Sequence, residues 1–207
     1  MPSPIIHLQL AHELSERLNI KLSKEFLLDT ISPDAIHMVQ NANWEDKAMT
    51  HFYDLADQDY SKAIITAYEQ TTSAGYCFHL YTDYYWREHV YTPFFQCYKD
   101  KMPRSALHAL YYQDMAHIDR YYLQQADWIP EIKRMLLNAK VNPILKLSCD
   151  AIKDWSTKVC EQDLCYDGQA FNNVNLNAFD IQQINQFIEI YLPIMIEELT
   201  QLGIELK

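Results

Sequence analysis

Apolar residues along this chain recur at steps of three and four, the spacing that lines one face of an α-helix. Leu10, Leu14 and Leu18 follow His7 at steps of three, four and four, with Ile5, Leu8 and Ala11 beside them. Glu13 and Glu16 fall among the polar positions, so an early amphipathic helix is expected. Residues 23–31 predict a short second helix opened by Ser23 and stopped by Ser32-Pro33. Asp34 then lies in a turn, where a side chain can be aimed inward. The stretch from Asn41 to Asp59, which holds His51 and several acids, reads as less regular. Further helices are expected over 59–70, over 73–91 ending before Pro93, over about 105–125, and after Pro130. Another is expected near 144–160, beyond Pro143, and a last one from Asp180 towards Leu202, interrupted or kinked at Pro193. Residues 163–177 are polar and turn-rich, the pattern of a surface loop. With no internal repeat, low-complexity tract or linker, the expectation is an all-α fold. One domain would span 1–207, a multi-helix bundle with a metal site between helices.

Composition narrows the function classes. Of 207 residues 49% are apolar, enough for a full core and against disorder. Three glycines, Gly75, Gly168 and Gly203, cannot form a glycine-rich phosphate loop, which argues against a nucleotide site of that kind. Seventeen basic against 28 acidic residues give a net charge of −11, so no nucleic acid polymer is expected as partner. A small phosphate-ester substrate stays open, because divalent cations would reverse the field inside an acidic pocket. The five cysteines are odd in number and lack C-x-x-C spacing, which favours reduced thiols over disulfides or structural zinc. The start, Met1-Pro-Ser-Pro-Ile-Ile-His7, has no basic head before an apolar core, and no apolar run is long enough to span a bilayer. No transmembrane segment and a cytoplasmic location are expected.

The run Gly75-Tyr-Cys-Phe-His-Leu-Tyr-Thr-Asp83 carries the sharpest chemistry. His79 and Asp83, four residues apart, project from one helix face and can ligate one divalent metal, with Asp83 free to bridge to a second. A buried hydrogen-bonded His–Asp pair is the plain alternative. Asp34 can instead cap the helix after Pro33, and His51 can bond to the backbone. His12, five residues after His7, lies on a different side and reads as surface or capping. Most of the fifteen tyrosines read as core. Trp86, seven residues after His79, is the best aromatic candidate for a pocket wall. Arg87, Lys47 and Arg104 can pair with phosphate but are each expected as solvated surface groups.

Several pieces occur in a fixed order: the Met-Pro-Ser-x-x-x-His7 start, the Ser32-Pro33-Asp34-Ala35 turn, Thr50-His51-Phe52, and Gly75-Tyr-x-x-His79-x-x-x-Asp83. In that order they resemble the zinc-dependent phospholipase C family, an all-helical fold shared with single-strand-specific zinc nucleases. The motifs lie within residues 1–91. The resemblance implies that His7 holds one zinc, that Asp34, His51 and His79 hold a neighbouring one, and that Asp83 bridges them. His89 falls near where the family places a histidine for a third zinc. The later His-x-x-x-Glu pair that completes that site is missing here, and Asp114 and His117 are candidates to replace it.

The expected activity is therefore metal-dependent hydrolysis of a phosphate ester, phospholipase C-like, with Asp34 and Asp83 as catalytic carboxylates and a metal-bound hydroxide as nucleophile. Two zinc ions are expected and a third is left open, as are iron or manganese in their place. The competing class is a noncatalytic helical metal-binding or interaction protein that keeps the fold. A di-iron bundle is suggested by Asp34-Ala-Ile-His37 and Asp114-Met-Ala-His117, but the paired Glu-x-x-His motifs of such bundles are missing. No adjacent His-Asp dipeptide supports an HD-type phosphohydrolase.

Overall fold

Polar residues at the predicted starts become helix caps. In the computed structural model, which describes residues 1–165, 168 and 180–206, Ser3 accepts from the Ile6 N–H to open α1 (Pro4–Leu18). Pro4 fits the first turn, where a missing N–H costs nothing, and Asn19 closes the helix in the left-handed region at φ 49°. Ser23 caps α2 (Lys24–Asp29), and a 3-10 turn (Ser32–Met38) follows. Next come α3 (Trp44–Thr50), α4 (Tyr53–Ala56), α5 (Tyr60–Thr71) and α6 (Ala74–Trp86). A π turn (Arg87–Tyr91) then leads into α7 (Thr92–Tyr98), followed by α8 (Arg104–Gln125) and α9 (Ile129–Leu137). The last elements are α10 (Cys149–Lys158), a second π turn (Val159–Asp163) and α11 (Ile181–Gln201). The fold is all-α, with no strand among the described residues, and one apolar cluster draws on elements from α1 to α11. Among the described residues no helix is long and apolar enough to cross a membrane.

The axis of this arrangement is α6. From Gly75 to Asp83 every residue is buried, so the helix has no solvent face and is wrapped by α2, α5 and α11. Ser73 starts it and ties it to its neighbour: the hydroxyl accepts from the Tyr76 N–H and donates to Asp29 Oδ2 at 2.6 Å, at the end of α2. Gly75 sits where α6 meets α2, and a Cβ there would come within 2.2 Å of the Phe26 carbonyl oxygen. Only a residue without a side chain permits that approach.

Four boundaries differ from the sequence expectation. The chain does not leave its helix before Pro93. Thr92 N–H bonds to the Arg87 carbonyl, the wider π turn absorbs the proline, and helix resumes as α7. The stretch 41–59 contains two short helices, the first opened by an Asn43–Asp46 capping box. Helix near 144–160 begins only at Cys149, since Ile144 and Leu147 exchange backbone bonds of 3.1 and 2.9 Å in a tight turn. Pro193 does not interrupt α11, whose Leu192, Met195 and Leu199 are held in the core. The loop expected over 163–177 lies, after Cys165 and apart from Gly168, outside the described residues.

Candidate metal centre

Five polar side chains from four elements meet inside this apolar frame. The first turn of α1 supplies His7 and the 3-10 turn supplies Asp34. His51 ends α3, and the chain then turns sharply through Phe52 at φ 54°. His79 and Asp83 come from α6. All are buried: His7 and His79 are 0% exposed, His51 and Asp83 3%, and Asp34 9%.

Their donor atoms fall into two groups. Ligand atoms of His7, His79 and Asp83 lie within 4.8 Å of one another, as do those of Asp34, His51 and His79. Asp83 faces both groups: Oδ1 lies 3.5 Å from His7 Nε2, while Oδ2 lies 3.8 Å from His51 Nε2 and 3.9 Å from His79 Nε2. Asp34 Oδ1 lies 3.4 Å from His51 Nε2. Two ligand atoms at ~2.1 Å from one tetrahedral ion stand about 3.4 Å apart, so this spacing fits metal coordination.

The backbone assigns the tautomers. His79 Nδ1 is 2.9 Å from the Thr30 carbonyl oxygen, which can only accept, so that nitrogen carries the hydrogen and Nε2 is a bare acceptor. His51 Nδ1 is 3.1 Å from the Lys47 carbonyl oxygen and 2.9 Å from Thr50 Oγ1. The Thr50 hydroxyl itself donates to the Lys47 carbonyl, so His51 also presents a bare Nε2. Such outer bonds are the usual means of orienting a metal-binding imidazole.

The bare Nε2 atoms of His51 and His79 face the Asp83 oxygens, and His7, which must carry one N–H, comes no nearer to Asp83 Oδ1 than 3.5 Å. Neither His7 nitrogen makes a hydrogen bond, nor do His51 Nε2, His79 Nε2 or either Asp83 oxygen. Each orphaned atom costs about 1–3 kcal/mol, and a buried uncompensated carboxylate several. Burial pushes the His79 pKa down to about 3, helped by neighbouring His7. It is neutral at physiological pH. Burial pushes Asp83 up, but His7, His79 and His51 around it outweigh burial and hold it at about 2, an anion. A neutral base beside a buried anion is matched by a cation. Burial likewise lowers the Met1 amino group, which feels Asp83 and Asp34 against that trend.

Two of the expected ligands lie outside both groups. His89, in the π turn, is exposed and stacks on Tyr191 with ring centres 4.1 Å apart. It lines a separate groove of about 470 Å³ with Pro93, Phe94 and Phe187. Asp114 is buried on α8 but joins neither group. Trp86 is fully buried rather than a pocket wall, and its indole N–H donates to the Tyr111 hydroxyl at 2.7 Å. Lys47, expected at the solvated surface, instead points at the centre. Its Nζ is 3.6 Å from Asp34 Oδ1 and 3.4 Å from His37 Nε2. Its place four residues before His51 on α3 is the signal that would have found it. A separate cleft of only about 10 Å³ touches His51, Asp83, Tyr53 and Arg87.

No family model, curated protein or solved structure matches this chain.

Proposed function

We propose that this centre holds two divalent metal ions, zinc in the first instance, and hydrolyses a phosphate ester. The observation that carries the reading is the convergence of six buried nitrogen and oxygen atoms without a hydrogen-bond partner, from His7, His51, His79 and Asp83, in one place. Imidazole nitrogen with carboxylate oxygen is a donor set suited to zinc. Bound there, the ions would acidify a water and offset charge on phosphoryl oxygens. Asp83, with one oxygen turned to each group, would bridge them. Asp34 completes the group nearer solvent, with 13% of its side chain exposed. The His51 and His79 rings, each with Nδ1 held at a backbone carbonyl, would turn Nε2 to the metal. A cytoplasmic location and a phospholipase C-like fold and metal chemistry belong to the same proposal, with the ester left open between monoester and diester.

A second reading, metal binding without turnover, draws support from the 10 Å³ cleft beside Asp83 and from His89 facing away. Elemental analysis of the purified chain, combined with turnover of p-nitrophenyl phosphate and bis(p-nitrophenyl) phosphate, separates the two. Two equivalents of metal with hydrolysis abolished by a chelator is expected. Metal without hydrolysis selects the second reading, and no uptake of zinc, iron or manganese overturns both.

A further inference from the structure

The solvent side of the centre is built differently from its interior. Asp34 Oδ1 is approached by His51 from within, and by His37 and Lys47 from the edge, at 3.7 and 3.6 Å. The Lys47 side chain keeps 22% of its surface exposed and that of His37 keeps 51%. An anion entering here would meet the Lys47 ammonium and the Asp34 group together. The Lys47 backbone is also tied to the centre, because its carbonyl accepts from His51 Nδ1 at 3.1 Å. The separate cleft offers less: Arg87 is engaged by Asp57 at 3.1 Å and by Glu88 at 3.2 Å.

Resting on the metal-centre reading above, we propose that Lys47 binds substrate and sets its class: a dianionic phosphoryl group, as in phosphate monoesters and inorganic phosphate. The charges decide it. Two divalent cations against Asp34, Asp83 and a metal-bound hydroxide would leave +4 − 3 = +1, and Lys47 would raise this to +2. Once Asp34 is given over to a metal, Lys47 loses its counter-ion and adds repulsion unless an anion sits between them. A dianion offsets that excess better than the single charge of a diester. An ammonium is a compact point charge well suited to phosphoryl oxygens.

The test uses the full chain loaded with zinc, as wild type, Lys47→Met and Lys47→Arg, with Lys47→Gln as a second neutral variant should the methionine fail to fold. Zinc content is measured by elemental analysis and inorganic phosphate affinity by calorimetry. KM is compared for p-nitrophenyl phosphate and bis(p-nitrophenyl) phosphate. The neutral variants should keep their zinc and bind phosphate roughly tenfold to a hundredfold more weakly, the range for a lost charge-assisted bond. KM should rise for the monoester more than for the diester, and arginine should restore most of the affinity. Unchanged phosphate affinity at full zinc content would overturn the proposal and leave Lys47 as a counter-charge for Asp34. Equal losses for monoester and diester would remove the dianion preference and overturn it too. A wild type that takes up no zinc, iron or manganese would instead sink the metal-centre reading, and this inference with it.

Discussion

His79 and His89 stand ten residues apart on one unbroken run of helical turns, yet they have opposite environments. His79 is wholly buried, with one nitrogen held by the Thr30 carbonyl and the other bare before Asp83. His89 is exposed and lies flat against Tyr191. What separates them is not local sequence but what each face of the run meets. Around His79, α1, α3 and the 3-10 turn deliver His7, His51 and Asp34. Near the π turn, Trp86 and Tyr111 have bonded to each other and Tyr191 has covered the imidazole. A histidine that could hold a metal is set apart by its neighbours' unmet needs.

The largest test of that contrast is Asp83→Asn. Metal affinity should fall by more than the about 10–100-fold typical of losing an outer partner of a ligand, and phosphate-ester turnover should collapse with it. Stability should move in opposite directions in the two states. In stripped protein the variant should melt higher than wild type, since a buried uncompensated anion is gone. In zinc-loaded protein it should melt lower. A uniform decrease in both states would show that Asp83 is satisfied without metal.

Removing metal from the wild type should cost about 4 kcal/mol relative to saturation at a thousandfold over Kd, on the order of 10 °C in Tm for a chain of this size. Matched melting curves with and without a chelator, after verified loading, would contradict this.

Acid should weaken the stripped protein through His79. Its folded pKa of about 3 lies below the ordinary 6.5, so the fold favours the neutral ring. The contribution is fully present above pH 6.5 and is lost as pH falls towards 3, by about 1.4 kcal/mol per pH unit. Asp29, raised to about 6 by burial against its Ser73 bond, works the other way: it costs stability as pH climbs from 3.8 to 6. Asp119, raised to about 7 by burial, acts likewise. The measurement is therefore the difference between wild type and His79→Gln across pH. A flat difference curve would remove His79 as the acid-sensitive group.

The smallest effects should come from the other histidine. His89→Ala should leave metal content unchanged and lose at most the about 0.5–1.5 kcal/mol of an aromatic contact. Asp114→Asn should also retain both metals. Loss of metal from either variant, measured by elemental analysis, would move a ligand from outside the two groups into the centre.

The all-α class was legible because helical periodicity is local, and His79 with Asp83 because four residues make one helical turn. Asp34 and His51 came only through the family resemblance, since nothing in their own surroundings signals that separate turns will meet. His89 misled for the same reason in reverse: sequence position puts it near the ligands, while its partner Tyr191 is far along the chain. Lys47 was taken for a solvated charge because composition cannot tell which lysine faces a carboxylate. Pro93 was read as a stop, and the π turn before it accommodates the missing N–H.

The Gly75 crossing has a consequence for how such a site is recognised. Gly75 and His79 are successive rungs on α6, and Phe26 and Thr30 are successive rungs across from them, linked by the Thr30 N–H bond to the Phe26 carbonyl at 2.9 Å. The first rung sets the gap between the helices; the second uses that gap to seat a proton on His79 Nδ1. A methyl group at Gly75 would wedge the helices apart and leave that proton free to migrate to Nε2, the nitrogen turned towards Asp83. The diagnostic fingerprint of this centre therefore includes a residue that never approaches an ion: a position whose contribution is the absence of a side chain.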